Sequence, residues 1–149
     1  MKVLVTLGTT PFPELLSALH MQGVDESYQL TVQSPENEDA SRFSNSFQFS
    51  DDINSWYDWA DIIITHAGAG SIYRLLEQNH RIIVVPNTYR KDKHQLEISN
   101  YVEQNKFGLV CFDLKQLSAM IAQADTAQIN SYTKTEFLGT RDIVNTIFN

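Results

Sequence analysis

The sequence predicts an α/β domain built on a mostly parallel sheet. Three observations carry this. Short unbroken aliphatic runs, such as Ile62-Ile63-Ile64 and Ile82-Ile83-Val84-Val85, lack the alternation of a half-exposed strand and match strands covered on both faces. Between the runs lie stretches with apolar residues at i, i+3 and i+4, as in Leu15, Ala18 and Leu19. Glycine or proline punctuates many of the junctions, so strands alternate with helices along the chain.

The elements follow in order. Val3-Leu4-Val5-Thr6-Leu7 is a β-rich run stopped by Gly8. Pro11 and Pro13 stand where a helix tolerates proline, and Gly23 is placed to end that helix. Tyr28 to Val32 is a second strand, and the polar, acidic stretch 34–46 is expected to be a loop. Phe47-Gln48-Phe49 is a weak strand and 53–59 a short helix with Trp56 and Trp59, which are expected to be core residues more than base-stacking ones. Ile62 to Thr65 is a buried strand, and the turn His66 to Ser71 leads to a helix over 71–78. Ile82 to Val85 is the next strand, closed by Pro86. Ile98, Tyr101, Val102 and Asn105 mark a helix that Gly108 is placed to stop. Leu109 to Phe112 is a strand, 114–123 a helix, and the tail 141–148 has Ile143, Val144, Ile147 and Phe148 at helical spacing. No repeat or linker divides residues 1–149, so one domain is expected.

Composition excludes several classes. Apolar residues make up 42% and charged residues 19%, which is a folding composition. Six glycines, four prolines and one cysteine exclude collagen-like, low-complexity and disulfide-stapled chains. The lone Cys111 fits a reducing compartment. A net charge of −7 argues against a broad nucleic-acid surface. No apolar run approaches the ~20 residues of a membrane span, and the N-terminal run is too short for a secretory signal. A cytoplasmic protein is expected.

Parallel sheets bind ligands beyond the carboxyl ends of their strands. Three such ends have unusual residues. The first is Gly8-Thr9-Thr10. The second is His66-Ala67-Gly68-Ala69-Gly70-Ser71, where glycines allow close backbone approach and a helix start offers unpaired N–H groups suited to a diphosphate. A plain tight connection explains the same turn, because the spacing is neither the dinucleotide fingerprint nor a P-loop. The third is Asn87 to Gln95. There Arg90, Lys91 and Lys93 place three of the eleven basic residues within four positions. His94 and Gln95 can hydrogen-bond sugar or phosphate, and Asp92 also suits a helix N-cap with Gln95 three residues on. The four histidines show no metal-ligand spacing, and His20 and His80 are expected at the surface or at helix ends.

Taken in order, Ala60-Asp61-Ile62-Ile63-Ile64-Thr65-His66-Ala67-Gly68-Ala69-Gly70-Ser71, Ile82-Ile83-Val84-Val85-Pro86-Asn87 and Asp92-Lys93-His94-Gln95 resemble the C-terminal domain of family 28 glycosyltransferases. The opening Val5-Thr6-Leu7-Gly8-Thr9-Thr10 with Phe12 is similar to its stand-alone versions, the small subunits of split transferases. The resemblance implies a Rossmann-like sheet with helices on both faces, equivalent to the C-terminal half of a two-domain B-type enzyme. It implies a UDP-sugar donor, no metal or other cofactor, and inversion at the anomeric centre. The diphosphate would lie at Gly68 to Ser71, with Gly8, Thr9 and Thr10 opposite, while Asn87, Asp92, His94 and Gln95 would face the sugar. His66 and His94 are the weak candidates for a catalytic group.

The same resemblance implies a partner: a membrane-anchored subunit that holds a lipid-linked saccharide acceptor. The chain would then sit at the inner face of the membrane through that partner. Of the two branches, dolichol-linked oligosaccharide synthesis and bacterial capsule or exopolysaccharide assembly, Ser71-Ile72-Tyr73 looks closer to the bacterial one. Residues 137–149 would contact the partner. One departure stands out: where many relatives have a ribose-binding Glu, this chain has Arg74, with Glu77 one turn further on as a substitute. That departure motivates the alternative of a non-catalytic stabilising or regulatory subunit.

Overall fold

A computed structural model of the chain describes residues 1–36, 40–89 and 94–134. Residues 37–39, the segment 90–93 with Arg90, Lys91, Asp92 and Lys93, and the tail 135–149 lie outside the described residues. The expectations for Asp92 and for the partner-contacting segment 137–149 therefore fall outside them as well.

The described elements are β1 (Lys2–Thr6), α1 (Pro13–Met21), α2 (Val24–Ser27), β2 (Gln29–Gln33), β3 (Ser46–Phe47), α3 (Ile53–Trp59), β4 (Ile62–His66), α4 (Ala69–Glu77), β5 (Ile82–Val85), α5 (His94–Asn105), β6 (Leu109–Val110) and α6 (Leu117–Ala124), the last after a 3-10 turn at Leu114–Gln116. The six strands are all parallel, in the order β3-β2-β1-β4-β5-β6. This is the doubly wound, Rossmann-like arrangement, and its strand order reverses between β1 and β4.

The aliphatic runs sort their side chains to two faces. Val3, Val5, Ile62, Ile64, Ile83 and Val85 pack with α1 and α6 through Leu15, Leu16, Leu19, Leu117 and Ile121. Leu4, Ile63, Ile82 and Val84 pack the other way, with Tyr57, Ile72, Leu75, Leu76, Ile98 and Val102 of α3, α4 and α5. Helices therefore cover both sheet faces, which is why the strands read as continuous apolar runs.

The differences from expectation have local causes. The stretch 34–46 is not simply a solvated loop, because Ala40 and Phe43 are buried in the first core. Helix α4 starts at Ala69, two residues before the expected position, because the carbonyl of Gly68 already accepts the N–H of Ile72. Helix α5 stops at Asn105, ahead of Gly108. Lys106 adopts φ 54°, and the N–H groups of Lys106 and Phe107 bond the carbonyls of Glu103 and Val102. That is a Schellman closure with lysine in the place glycine usually fills. Gly108 has another role: a Cβ there would lie 2.6 Å from Cγ1 and 2.9 Å from the carbonyl oxygen of Ile82. Trp56 and Trp59 are half-buried against the second core, and Trp56 stacks on Phe47 at 5.0 Å. His80 follows α4 but is tucked in, with its side chain 14% exposed beside Tyr57 and Asp58.

Candidate functional site

Register aligns the strand ends that matter. Phe47, Gln33, Thr6, Thr65, Val84 and Val110 form one row across all six strands. The turns after β1 and β4 therefore leave the sheet side by side. At this switch point the flanking connections diverge to opposite faces and open a crevice.

The crevice contains a cavity of about 480 Å³, a volume suited to a small organic ligand. Its walls include Gly8 and Thr9 from the β1 turn, Ser71 from the first turn of α4, and Ile53 and Tyr57 from α3. Gln33, Pro35, Gln48, Phe49 and Ser50 complete it on the β2 and β3 side. Sequence reasoning had singled out Gly8, Thr9 and Ser71. It missed the β2 and β3 wall, where the only hints were a glutamine ending an apolar strand and an isolated Phe49. Phe49 is 80% exposed at this wall, an apolar ring available for stacking on a flat ligand.

The β4 turn is shaped by small residues. Gly68 N–H bonds the His66 carbonyl at 2.8 Å, and the His66 ring lies where a Gly68 Cβ would be, 2.9 Å from Cε1. Ala67 is buried in the second core. Ala69 and Gly70 begin α4; Gly70 is exposed, and a Cβ there would meet nothing within 4 Å. The helix start is thus open on this side, because its capping residue, Gly68, has no side chain with which to cap it. Its N–H groups and partial positive charge remain available to an anion. The β1 turn is closed by a bond from Thr10 N–H to the Leu7 carbonyl, with Gly8 at φ +60°.

The third turn behaves differently. Asn87 is buried; its N–H bonds the Gln95 side-chain oxygen at 2.8 Å, and its own Oδ1 accepts from the Tyr89 N–H. Gln95 is buried as well. These two side chains brace the β5 connection, and neither lines the cavity. His94 is an exposed residue in the first turn of α5, 3.4 Å from Glu97. Arg74 donates to Asn54 at 2.9 Å and lies over the Tyr57 ring, tying α4 to α3. Glu77, one turn beyond Arg74, ends α4 and pairs with Lys134 at 3.6 Å. Among the described residues, no group of three or more His, Cys, Asp or Glu could hold a metal ion. None of the described helices is long and apolar enough to cross a membrane.

Strand order and cleft define the class: a Rossmann-like α/β domain with a ligand-sized opening at the sheet's switch point. Residues 2–142 match the glycosyltransferase family 28 C-terminal domain, and the chain belongs to that family. It is 34% identical over 80 residues to the UDP-N-acetylglucosamine transferase subunit ALG13 of Candida albicans, a match covering 54% of this chain and 27% of that protein. It is 30% identical over 131 residues to the UDP-N-acetylglucosamine–N-acetylmuramyl-(pentapeptide) pyrophosphoryl-undecaprenol N-acetylglucosamine transferase of Psychromonas ingrahamii, covering 80% of this chain and 37% of that protein. The chain thus spans well under two thirds of either curated relative. A solution structure of ALG13 superposes with a TM-score of 0.68 at 22% identity, covering 99% of this chain and 97% of that one.

Proposed function

We propose that the chain is the donor-binding subunit of a two-subunit inverting glycosyltransferase that moves a sugar from a UDP-sugar to a lipid-linked acceptor. The cavity between the β1 turn and the open start of α4 carries this reading. The diphosphate fits the helix start at Gly68 to Ser71, opposite Gly8 and Thr9, and the uridine fits the apolar wall of Ile53, Tyr57 and Phe49. The names of both relatives support N-acetylglucosamine as the sugar. The undecaprenol-linked substrate named for the second supports a lipid-linked acceptor. Capsule or exopolysaccharide assembly is our own reading of the setting, from the likeness of Ser71-Ile72-Tyr73 to the bacterial branch. The subunit named in the first supports a partner, here one that anchors the pair at the membrane and presents the acceptor.

The chemistry is leaving-group stabilisation. As the glycosidic bond breaks, negative charge grows on the β-phosphate, and fixed N–H groups at the α4 start favour that charge most in the transition state. The reaction on this reading draws on no metal. On this reading the base that activates the acceptor comes from the partner; the alternative is a base on this chain, for which His66 and His94 are the candidates.

Calorimetric titration with UDP and UDP-N-acetylglucosamine tests the assignment. Saturable heat is expected, with NMR shift changes at 66–71 and at Gly8. If UDP leaves these residues untouched, both alone and with the partner present, the assignment fails. A second reading, a stabilising subunit without catalysis, draws support from Arg74, whose guanidinium is committed to Asn54 and Tyr57. A reconstituted pair that still transfers sugar after His94→Ala combined with Gly70→Asp would favour it.

A further inference from the structure

One buried side chain joins both walls of the cavity. Gln33, at the end of β2, is 5% exposed and lines the cavity floor. Its Oε1 accepts from Thr6 Oγ1 at 3.1 Å, Leu7 N–H at 2.9 Å and Gly8 N–H at 2.7 Å. Its Nε2 donates to the carbonyls of Gly8 and Gln48, each at 2.9 Å. Gly8, left-handed at φ +60° within its turn, therefore has both backbone polar groups held by one side chain from the neighbouring strand. The Gln48 bond fixes the opposite wall, next to Phe49 and Ser50.

We infer that Gln33 is a positioning residue that sets the shape of the donor cavity by clamping the β1 turn to the β3 exit. The inference rests on the proposed donor site and adds a residue outside the glycine turns. The chemistry dictates glutamine. Three donors converge on its oxygen and two carbonyls on its nitrogen, and only a primary amide supplies an acceptor and two donors at that reach. A carboxylate would set negative charge against two carbonyl oxygens. A thioether would leave every partner in the network without this contact.

The full-length chain tests this with UDP as probe. The variants are Gln33→Met and Gln33→Glu, with Ile121→Val in the first core as a control for general destabilisation. Below the unfolding range, Gln33→Met is expected to weaken UDP binding about tenfold, the scale of a lost buried hydrogen bond, and to speed amide exchange at Gly8, whereas Leu7 N–H keeps the main-chain carbonyl of residue 33. Ile121→Val is expected to bind as the parent does. Gln33→Glu keeps the acceptor for Thr6, Leu7 and Gly8 but turns a second oxygen, without a donor, toward the carbonyls of Gly8 and Gln48, and it is expected to bind UDP several-fold more weakly than the parent.

Binding by Gln33→Met within twofold of the parent overturns the inference, as does an equal loss in Ile121→Val. Should Gln33→Met not fold, Gln33→Glu decides, and UDP binding by it within twofold of the parent overturns the inference. If the parent itself does not bind UDP, the donor-site reading fails separately. The clamp is then judged on exchange at Gly8: faster exchange in the Gln33 variant than in Ile121→Val supports it, and equal exchange overturns it.

Discussion

Replacing Gly70 with Asp separates folding from binding at the start of α4. Gly70 is exposed in the first turn, and a Cβ there meets nothing within 4 Å, so the new side chain fits without displacement. Two small terms favour the folded state. Aspartate is a slightly better helix residue than glycine, and a negative charge in the first turn gains ~0.3–1 kcal/mol from the helix dipole. The melting temperature is therefore expected to hold or rise slightly. Binding moves the other way. A carboxylate about 5 Å from a phosphate charge, at an effective dielectric of about 20, is repelled by ~3 kcal/mol, and partial exposure trims this to roughly 2–3 kcal/mol. UDP affinity should fall by about 30- to 150-fold. Gly70→Asn has nearly the same shape without the charge and should stay close to the parent. Titration calorimetry at two salt concentrations, alongside thermal unfolding, reads both effects; the loss for Asp should shrink as salt screens it. If Asn and Asp lose affinity equally, space and not charge governs the site. If Asp binds UDP like the parent, the diphosphate is not at this helix start.

Other outcomes follow from packing and titration. Gly108→Ala places a methyl 2.6 Å from Ile82 Cγ1 and 2.9 Å from its carbonyl oxygen. It should cost ~1–3 kcal/mol in denaturant unfolding. Lys106→Gly relieves an exposed left-handed residue and should raise stability by ~0.5–1 kcal/mol, the relief being partly offset by glycine's backbone entropy. Burial holds the pKa of His80 below its usual 6.5, against an opposing pull from Asp58. The unfolded chain then takes up a proton that the folded one resists, so stability should fall as pH drops through about 6.5 and level off once folded His80 also protonates. Denaturant midpoints across that range should show this slope reduced in His80→Gln. Burial, then the charge of Asp113, pushes the Cys111 thiol up to about 11. A thiol reagent at mildly alkaline pH should label it only as fast as the protein opens.

Most of the sheet was legible because β1, β4 and β5 are aliphatic runs between helical stretches, and burial on both faces demands that composition. Helix α3 was legible over Ile53–Trp59, where Asp52 accepts the Ser55 N–H as its cap. What stayed hidden depends on contacts distant in sequence. Ala40 and Phe43 sit in an acidic stretch whose local pattern shows no period, and only packing against the first core reveals them. Gly108 looked like a helix stop because nothing in the sequence shows Ile82 pressed against it. At the site, the glycine turns announced themselves by composition. Gln33 did not, since its role depends on β2 lying beside β1. Asn87 and Gln95 have chemistry suited to a sugar, but a polar side chain serves equally to brace a loop, and their bonds here are to the connection after β5.

The row Phe47–Gln33–Thr6–Thr65–Val84–Val110 has a practical consequence for engineering. Beneath it lie the aliphatic layers that make the molecule hold together; above it lie short connectors that touch whatever enters. A library confined to the exposed connector residues of the cavity, such as Thr9, Gln48 and Phe49, can therefore vary what the cavity accepts while leaving the scaffold's melting point nearly untouched. Gln33, like the buried Ala67 and Asn87, belongs to both tiers and will resist replacement in either kind of screen.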